Sequence, residues 1–348
     1  MLAAEASRNM PKPHARIVVL VALVVLLIAG CVISVRLWQT NTKGEDIYYI
    51  WGEGQRILGG ENPYARVLEG NMRDNDKYAT YLPLFYELAA LTQLAGLRDY
   101  QPWIAFWRLI FLLFDLGIAV VIFAALYRRR LLLAALFGAA FWLFNRWTLH
   151  VVQIAHMDFV ALFLLVLSLE LFDRHWIVSL LLFGASLAIK QIGVFMVPLY
   201  LLWTWQAANR DTAVKRTLIA VAAIVAIPLL ASLPFFIWNA EGLLKSVLFS
   251  ATRLPADHFG APSIDGHMGW IGIPAKLPTL ALMVLAYLLA WRKQAGRYIS
   301  TLFVMVAFAD FNSVLFRQYL VWVVPFIPLV LCDLSDRSMP IARPPADG

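Results

Sequence analysis

Charged residues make up only 15% of this 348-residue chain, where an ordinary soluble domain carries about 25%. With 61% hydrophobic residues and a mean hydropathy of +0.71, that scarcity excludes a soluble globular protein and defines a polytopic membrane protein. Cysteine is scarcer still. Cys31 and Cys332 are the only two, and they fall near opposite sides of the membrane in the first and last spans, so no disulfide is expected to join them. Missing too are His-Glu-x-x-His, any cysteine cluster, Gly-x-Ser-x-Gly and a glycine-rich phosphate loop ending in Lys-Ser/Thr. Their absence removes the readily recognised hydrolase and nucleotide-binding classes.

Positive charge is present in excess, with 29 Lys and Arg against 22 Asp and Glu. These residues gather in short loops between apolar runs, which is how a membrane protein sets its orientation, and no nucleic-acid partner follows from them. Arg8, Lys12 and Arg16 place the start of the chain in the cytoplasm. The apolar run ending Ile28-Ala29-Gly30-Cys31 resembles a lipoprotein signal, but it continues through Val32-Ile33-Ser34-Val35 and is long enough to cross the bilayer, so it reads as a retained signal anchor. The span from Ile17 to Leu37 then exits to a long external loop, residues 38–98.

For Arg128-Arg129-Arg130 to lie inside, Pro83 to Leu97 must be an interfacial helix, which Glu87, Thr92 and Gln93 suit. His175 to Gln206 is expected to be two short helices meeting at Lys190, because that keeps Arg210, Lys215 and Arg216 cytoplasmic. A second external loop follows at residues 239–274. The expected fold class is an all-α polytopic membrane protein of about ten transmembrane helices, with interfacial helices in the first external loop. Residues 1–348 form a single integral-membrane domain with no repeat.

The polar residues of this apolar chain concentrate at the external ends of the spans: Glu45, Asp46, Glu53, Arg146, His150, Gln153, His156, Asp158, Lys190 and Arg317. Taken singly, each has an ordinary reading, such as an interfacial side chain reaching water, an Asp158 helix cap, a Lys190 staple or an Arg317 headgroup anchor. External Tyr and Trp form an aromatic belt by default. Convergence of both signs on one side favours chemistry. Carboxylates for proton transfer, together with Arg or Lys for an anion, suit transfer of a group from a phosphate leaving group to a hydroxyl. Glu45 and Asp46 would point about 100° apart on a helix, so only one can face a shared site. Asp46 shares a face with Tyr49, Ile50 and Glu53, and Glu45 shares one with Tyr48, Tyr49 and Gly52. Spacing does not choose between them.

Several segments carry a resemblance. Glu45-Asp46 followed by Tyr48-Tyr49, then Gly59-Gly60-Glu61-Asn62-Pro63-Tyr64 and Tyr81-Leu82-Pro83-Leu84, is similar to the first external loop of the GT-C superfamily of integral-membrane glycosyltransferases, especially those using polyprenyl-phosphate-mannose (the glycosyltransferase family 87 type). Gln153-Ile154-Ala155-His156-Met157-Asp158, Ala188-Ile189-Lys190-Gln191 and Gln318-Tyr319-Leu320-Val321-Trp322-Val323-Val324-Pro325 resemble further elements of that superfamily, in order along most of the chain. The family more often has Asp-Glu or a lone Asp at 45–46, and Tyr-Pro-Pro at 81–83.

The resemblance implies an inverting glycosyltransferase that moves a hexose, with mannose expected, from a polyprenyl-phosphate carrier to a lipid, glycan or protein hydroxyl. The charge pattern puts the site on the outer face, and a short chain without a retention signal leads to a bacterial plasma membrane as the expected location, an endoplasmic reticulum location with a dolichyl carrier being the alternative. By position the resemblance implies Asp46 as general base, with Glu45 the weaker match. Lys190 and Arg317 are expected at the donor phosphate. Tyr49, His156, Asp158, Gln318 and Tyr319 are expected to bind substrate. A monophosphate leaving group carries little charge, so neither metal nor cofactor is expected, and a chelator should leave transfer intact. The rivals are a flippase for a lipid-linked sugar and a non-catalytic subunit of cell-envelope assembly.

Overall fold

A computed structural model describes residues 13–70, 77–252, 263–270, 272–311 and 314–338. Arg8, Lys12 and the middle of the 239–274 loop lie outside the described residues. Among these the chain is helical throughout, with no strand. Helix α1 spans Pro13–Thr40, and the first loop holds α2, Asp46–Leu58, and α3, Leu84–Leu94. Then come α4, Tyr100–Arg128, α5, Leu132–Phe144, α6, Arg146–Ile154, α7, Asp158–Leu171, α8, Trp176–Ile189, and α9, Val197–Gln206. The chain continues with α10, Arg210–Thr252, α11, Ile264–Met268, α12, Ile273–Trp291, α13, Arg297–Asp310, and α14, Phe326–Ser338.

Among the described residues five stretches are long and apolar enough to cross a membrane: α1, α4, α10, α12 and Arg317–Arg337. The pair α5 and α6, bent by 44° at Asn145, makes a sixth if it counts as one span. The larger number expected from hydropathy rests on α7, α8, α9 and α13. With 14 residues in three of them and 10 in α9, they extend about 21 Å or less, short of a 30 Å hydrocarbon core. The bent pair itself follows from Asn145, whose side-chain oxygen caps α6 by accepting from the Trp147 and Thr148 amides at 2.9 and 3.0 Å.

Apolar side chains on the outside of the bundle confirm its solvent. Val18 is 65% exposed, Leu133 82% and Ile237 76%, on contiguous faces that only a bilayer covers. Inside, small and hydroxyl residues let helices approach. Ser179 and Ser186 of α8 donate to the carbonyls of Ser168 and Ala161 on α7 at 2.7 and 2.6 Å. A Cβ on Gly184 would lie 2.5 Å from the Ile224 carbonyl of α10. Asp115, buried in the middle of α4, accepts from the Trp142 indole of α5 at 2.8 Å, which satisfies an otherwise costly polar group.

Two breaks shape the end of the bundle that carries the first loop. The chain leaves α8 at Lys190 in an extended conformation before a 3-10 turn, Gln191–Met196. Helix α10 is interrupted at Asn239, whose side chain accepts from the Gly242 amide at 2.9 Å. Gly242 is there because the Tyr64 carbonyl would sit 2.5 Å from any Cβ.

Candidate functional site

Two turns build the site, and each presses on the other. After α1, the Gly44 amide donates to Asn41 Oδ1 at 3.0 Å and Gly44 takes a φ of +66°. A Cβ there would fall 2.6 Å from Ile47 and 2.9 Å from the Ile154 carbonyl, so both the conformation and the space require glycine. The Glu45 amide donates to that same Ile154 carbonyl at 3.2 Å, and α2 starts at Asp46. On the facing side α6 ends at Ala155, a left-handed non-glycine residue with φ +54°. That conformation costs about 1 kcal/mol or more, and it turns the next residue, His156, back towards Asp46.

From there a file of polar side chains runs inward. His156 Nε2 lies 3.7 Å from Asp46 Oδ2, and His156 Nδ1 lies 2.6 Å from Asp158 Oδ2. Both are close charge contacts without the alignment of a hydrogen bond. Asp158 Oδ1 accepts from Lys190 Nζ at 2.7 Å and from the Trp322 indole. His156, Asp158 and Lys190 are entirely buried, so their charges depend on one another and not on water. The file reaches solvent only at Asp46, whose side chain is 24% exposed.

The first loop is tied to the Lys190 break. Lys190 Nζ lies 5.2 Å from the centre of the Tyr81 ring. Gln191 donates to the Thr80 carbonyl at 2.8 Å, and the Tyr64 hydroxyl donates to the Tyr81 carbonyl at 2.8 Å. The Asn62-Pro63-Tyr64 turn is held by Asn62 Oδ1, which accepts from the Tyr64 amide at 2.8 Å.

Asp46 also pairs with Lys77. Burial alone would raise its pKa, but His156 and the Lys77 ammonium outweigh that and hold it well below the usual carboxylate range. A small cavity of 20 Å³ touches Asp46 and shares Tyr49, Glu53 and Lys77 with an open cavity of 560 Å³. The structure therefore gathers Asp46, Tyr49, His156, Asp158 and Lys190 at one place. Glu45 and Arg317 are exposed, Gln318 is half-buried, and Tyr319 is buried against Phe308 and Phe316.

Sequence reasoning missed Lys77 and the role of Trp322. Trp322 lay within a quoted segment, and its fixed spacing from Tyr319 was the available signal. Nothing in the sequence separates Lys77 from Lys43, Arg56, Arg66 or Arg98 in the same loop. Glu53 stood among the external polar residues and on the Asp46 face of the helix, with no role of its own. In the structure it is 2% exposed and paired with Arg66.

Fold and site together define a multi-pass helical membrane protein with a partly exposed carboxylate backed by a buried file of charges. Over 342 residues the chain is 24% identical to GPI mannosyltransferase 1 of Kluyveromyces lactis, an alignment covering 92% of this chain and 81% of that protein. No known family profile and no solved structure matches.

Proposed function

We propose that this chain is an inverting glycosyltransferase of GT-C type that moves one hexose from a polyprenyl-phosphate carrier to a hydroxyl acceptor. The supporting similarity is to a mannosyltransferase, which favours mannose as the sugar. The observation that carries the reading is Asp46: the one member of the polar file open to water, facing a cavity, with its far side fixed by His156. In the reaction the acceptor O–H gives its proton to Asp46, and the acceptor oxygen bonds to C1 of the sugar. The C1–O bond to phosphate breaks with its electron pair on the departing phosphate, so one displacement inverts the centre.

Lys77 lies beside Asp46 and is 34% exposed. Together with the exposed Arg317 it is the cation suited to the donor phosphate, since Lys190 is committed to Asp158. His156 acts through Asp46 as a positioning residue, and Asp158, Lys190 and Trp322 hold His156 in place. The reaction is assigned to the external face of a plasma membrane, on the side opposite the arginine-rich loops.

The test is transfer of radiolabelled mannose from polyprenyl-phosphate-mannose to endogenous acceptors, in membranes carrying the natural chain or Asp46→Asn. Asp46→Asn should lose transfer by about 10²-fold or more while eluting as the same monodisperse species in detergent. Equal transfer by both would remove Asp46 as base. No transfer by the natural chain from any lipid-linked sugar would remove the glycosyltransferase reading.

A further inference from the structure

The acceptor has so far been only a hydroxyl. The 560 Å³ cavity beside Asp46 has the size of a small-molecule site, and its walls have a distinct chemistry. Tyr48 and Tyr49 both line it and expose 49% and 43% of their surface. Around them stand Glu53, Arg56, Arg66 and Lys77, charges of both signs. A lipid tail would find no continuous apolar wall here. A pyranose suits these walls, because it offers a flat C–H face to an aromatic ring and hydroxyls to charged groups at its rim.

A second observation points to a ligand. Glu53 is 2% exposed. Its Oε1 is engaged by Arg66, but Oε2 has no hydrogen-bond partner, its nearest charge being Arg56 Nε at 3.8 Å. A buried carboxylate oxygen left without a donor is costly unless something supplies one. Glu53 lines both the large cavity and the 20 Å³ space that touches Asp46. A donor at Glu53 therefore stands on the path to the base.

We infer that the acceptor is a glycan whose terminal sugar docks in this cavity, stacked on Tyr49 and donating a hydroxyl to Glu53, so that a neighbouring hydroxyl reaches Asp46. This rests on the glycosyltransferase reading for the role of Asp46, while the sugar site itself stands on the cavity. Lys77 lies 5.4 Å from the centre of the Tyr49 ring, so the same tyrosine borders both the proposed donor cation and the acceptor sugar. Glu53 and Asp46 lie seven positions apart on α2, two turns along one helix face. The base and the hydroxyl anchor are thus set by one rigid element.

The experiment is saturation-transfer NMR on the full-length protein in a detergent without a sugar headgroup. The probes are methyl glycosides and trisaccharides of mannose, glucose and N-acetylglucosamine, with a serine- and threonine-containing peptide as comparison. At least one saccharide should receive saturation. Tyr49→Ala, at an exposed position that leaves the core intact, should bind it roughly tenfold more weakly, the size expected for a lost stacking contact.

Glu53→Gln should also weaken binding, but Tyr49→Ala decides the matter because Glu53 additionally anchors Arg66. No saturation in any saccharide, equal binding by Tyr49→Ala, or saturation in the peptide alone would overturn the inference. Saccharide binding by a chain that transfers no hexose would refute the transferase and keep the sugar site. Hexose transfer without saccharide binding would do the reverse.

Discussion

A carboxylate works as a base only when its proton affinity is not wholly cancelled by nearby cations, and Asp46 faces two such groups. Lys77 is the adjustable one, being partly exposed, whereas His156 is fixed by Asp158. A donor phosphate that draws Lys77 away from Asp46 would restore basicity at the moment the acceptor arrives. The sign is checkable. With its pKa held below the ordinary value of 3.8, Asp46 stays ionised at all physiological pH. The stability it contributes is fully present above that value and is lost only as pH falls through the depressed one. Removing the ammonium in Lys77→Met should move the acid limb of kcat/KM upward by about one to three pH units and raise the donor KM. A profile of kcat/KM against pH measures both, and an unmoved limb would dissociate Lys77 from Asp46.

Among the elements, the α7–α8 hairpin determines whether the site exists. Asp158 opens α7 and Lys190 follows the last residue of α8, so the antiparallel pair brings them to the same end. Lys190→Met removes the ammonium partner of the buried Asp158, leaving it only His156 and the Trp322 indole, and should destabilise the fold by about 3–5 kcal/mol. Thermal melting in detergent reads this directly. A loss of donor affinity with unchanged melting would return Lys190 to the phosphate.

Much of this arrangement was legible in the sequence. The segments around Asp46, His156–Asp158 and Lys190–Gln191 stood out as polar islands in apolar surroundings, the Trp322 segment through the resemblance alone, and they converge in space. Lys190 also marked a helix break, because each half of its segment was too short to span. The pairing of Lys190 with Asp158, instead of with a ligand, was not legible, since it depends on which helices pack together. Nor was the left-handed Ala155, because alanine carries no signal for positive φ.

For the whole molecule, the two ends differ in kind. The loop end holds the partly open site. At the other end, Arg129 makes a two-point pair with Asp336 at 2.9 and 2.8 Å, Arg128 pairs with Glu170, and Arg297 pairs with Asp173. The 29 residues of α4 separate the two ends, about 43 Å at 1.5 Å per residue. Impermeant maleimide should label Glu61→Cys from outside intact cells and Asp173→Cys only after permeabilisation, in a chain with Cys31 and Cys332 replaced by alanine. Both side chains are exposed, at 64% and 75%; the opposite labelling pattern would reverse the assigned orientation, and labelling of both from one side would remove the assignment of the two ends to opposite faces. Composition was enough to reveal the membrane class, whereas span number was not, because hydropathy counts apolar helices that are too short to cross a core of about 30 Å.

The meeting of Asp158 and Lys190 at one end of a hairpin also bears on biogenesis. Each charge alone would resist entry into the bilayer by about 3 kcal/mol, and on the external-face assignment proposed above both must pass to the far side as the chain is made. A hairpin that closes before it inserts delivers them as a neutral pair. A ribosome that has synthesised α7 but not yet α8 holds a segment with an unmatched acid, and the insertion machinery is expected to wait there for its lysine.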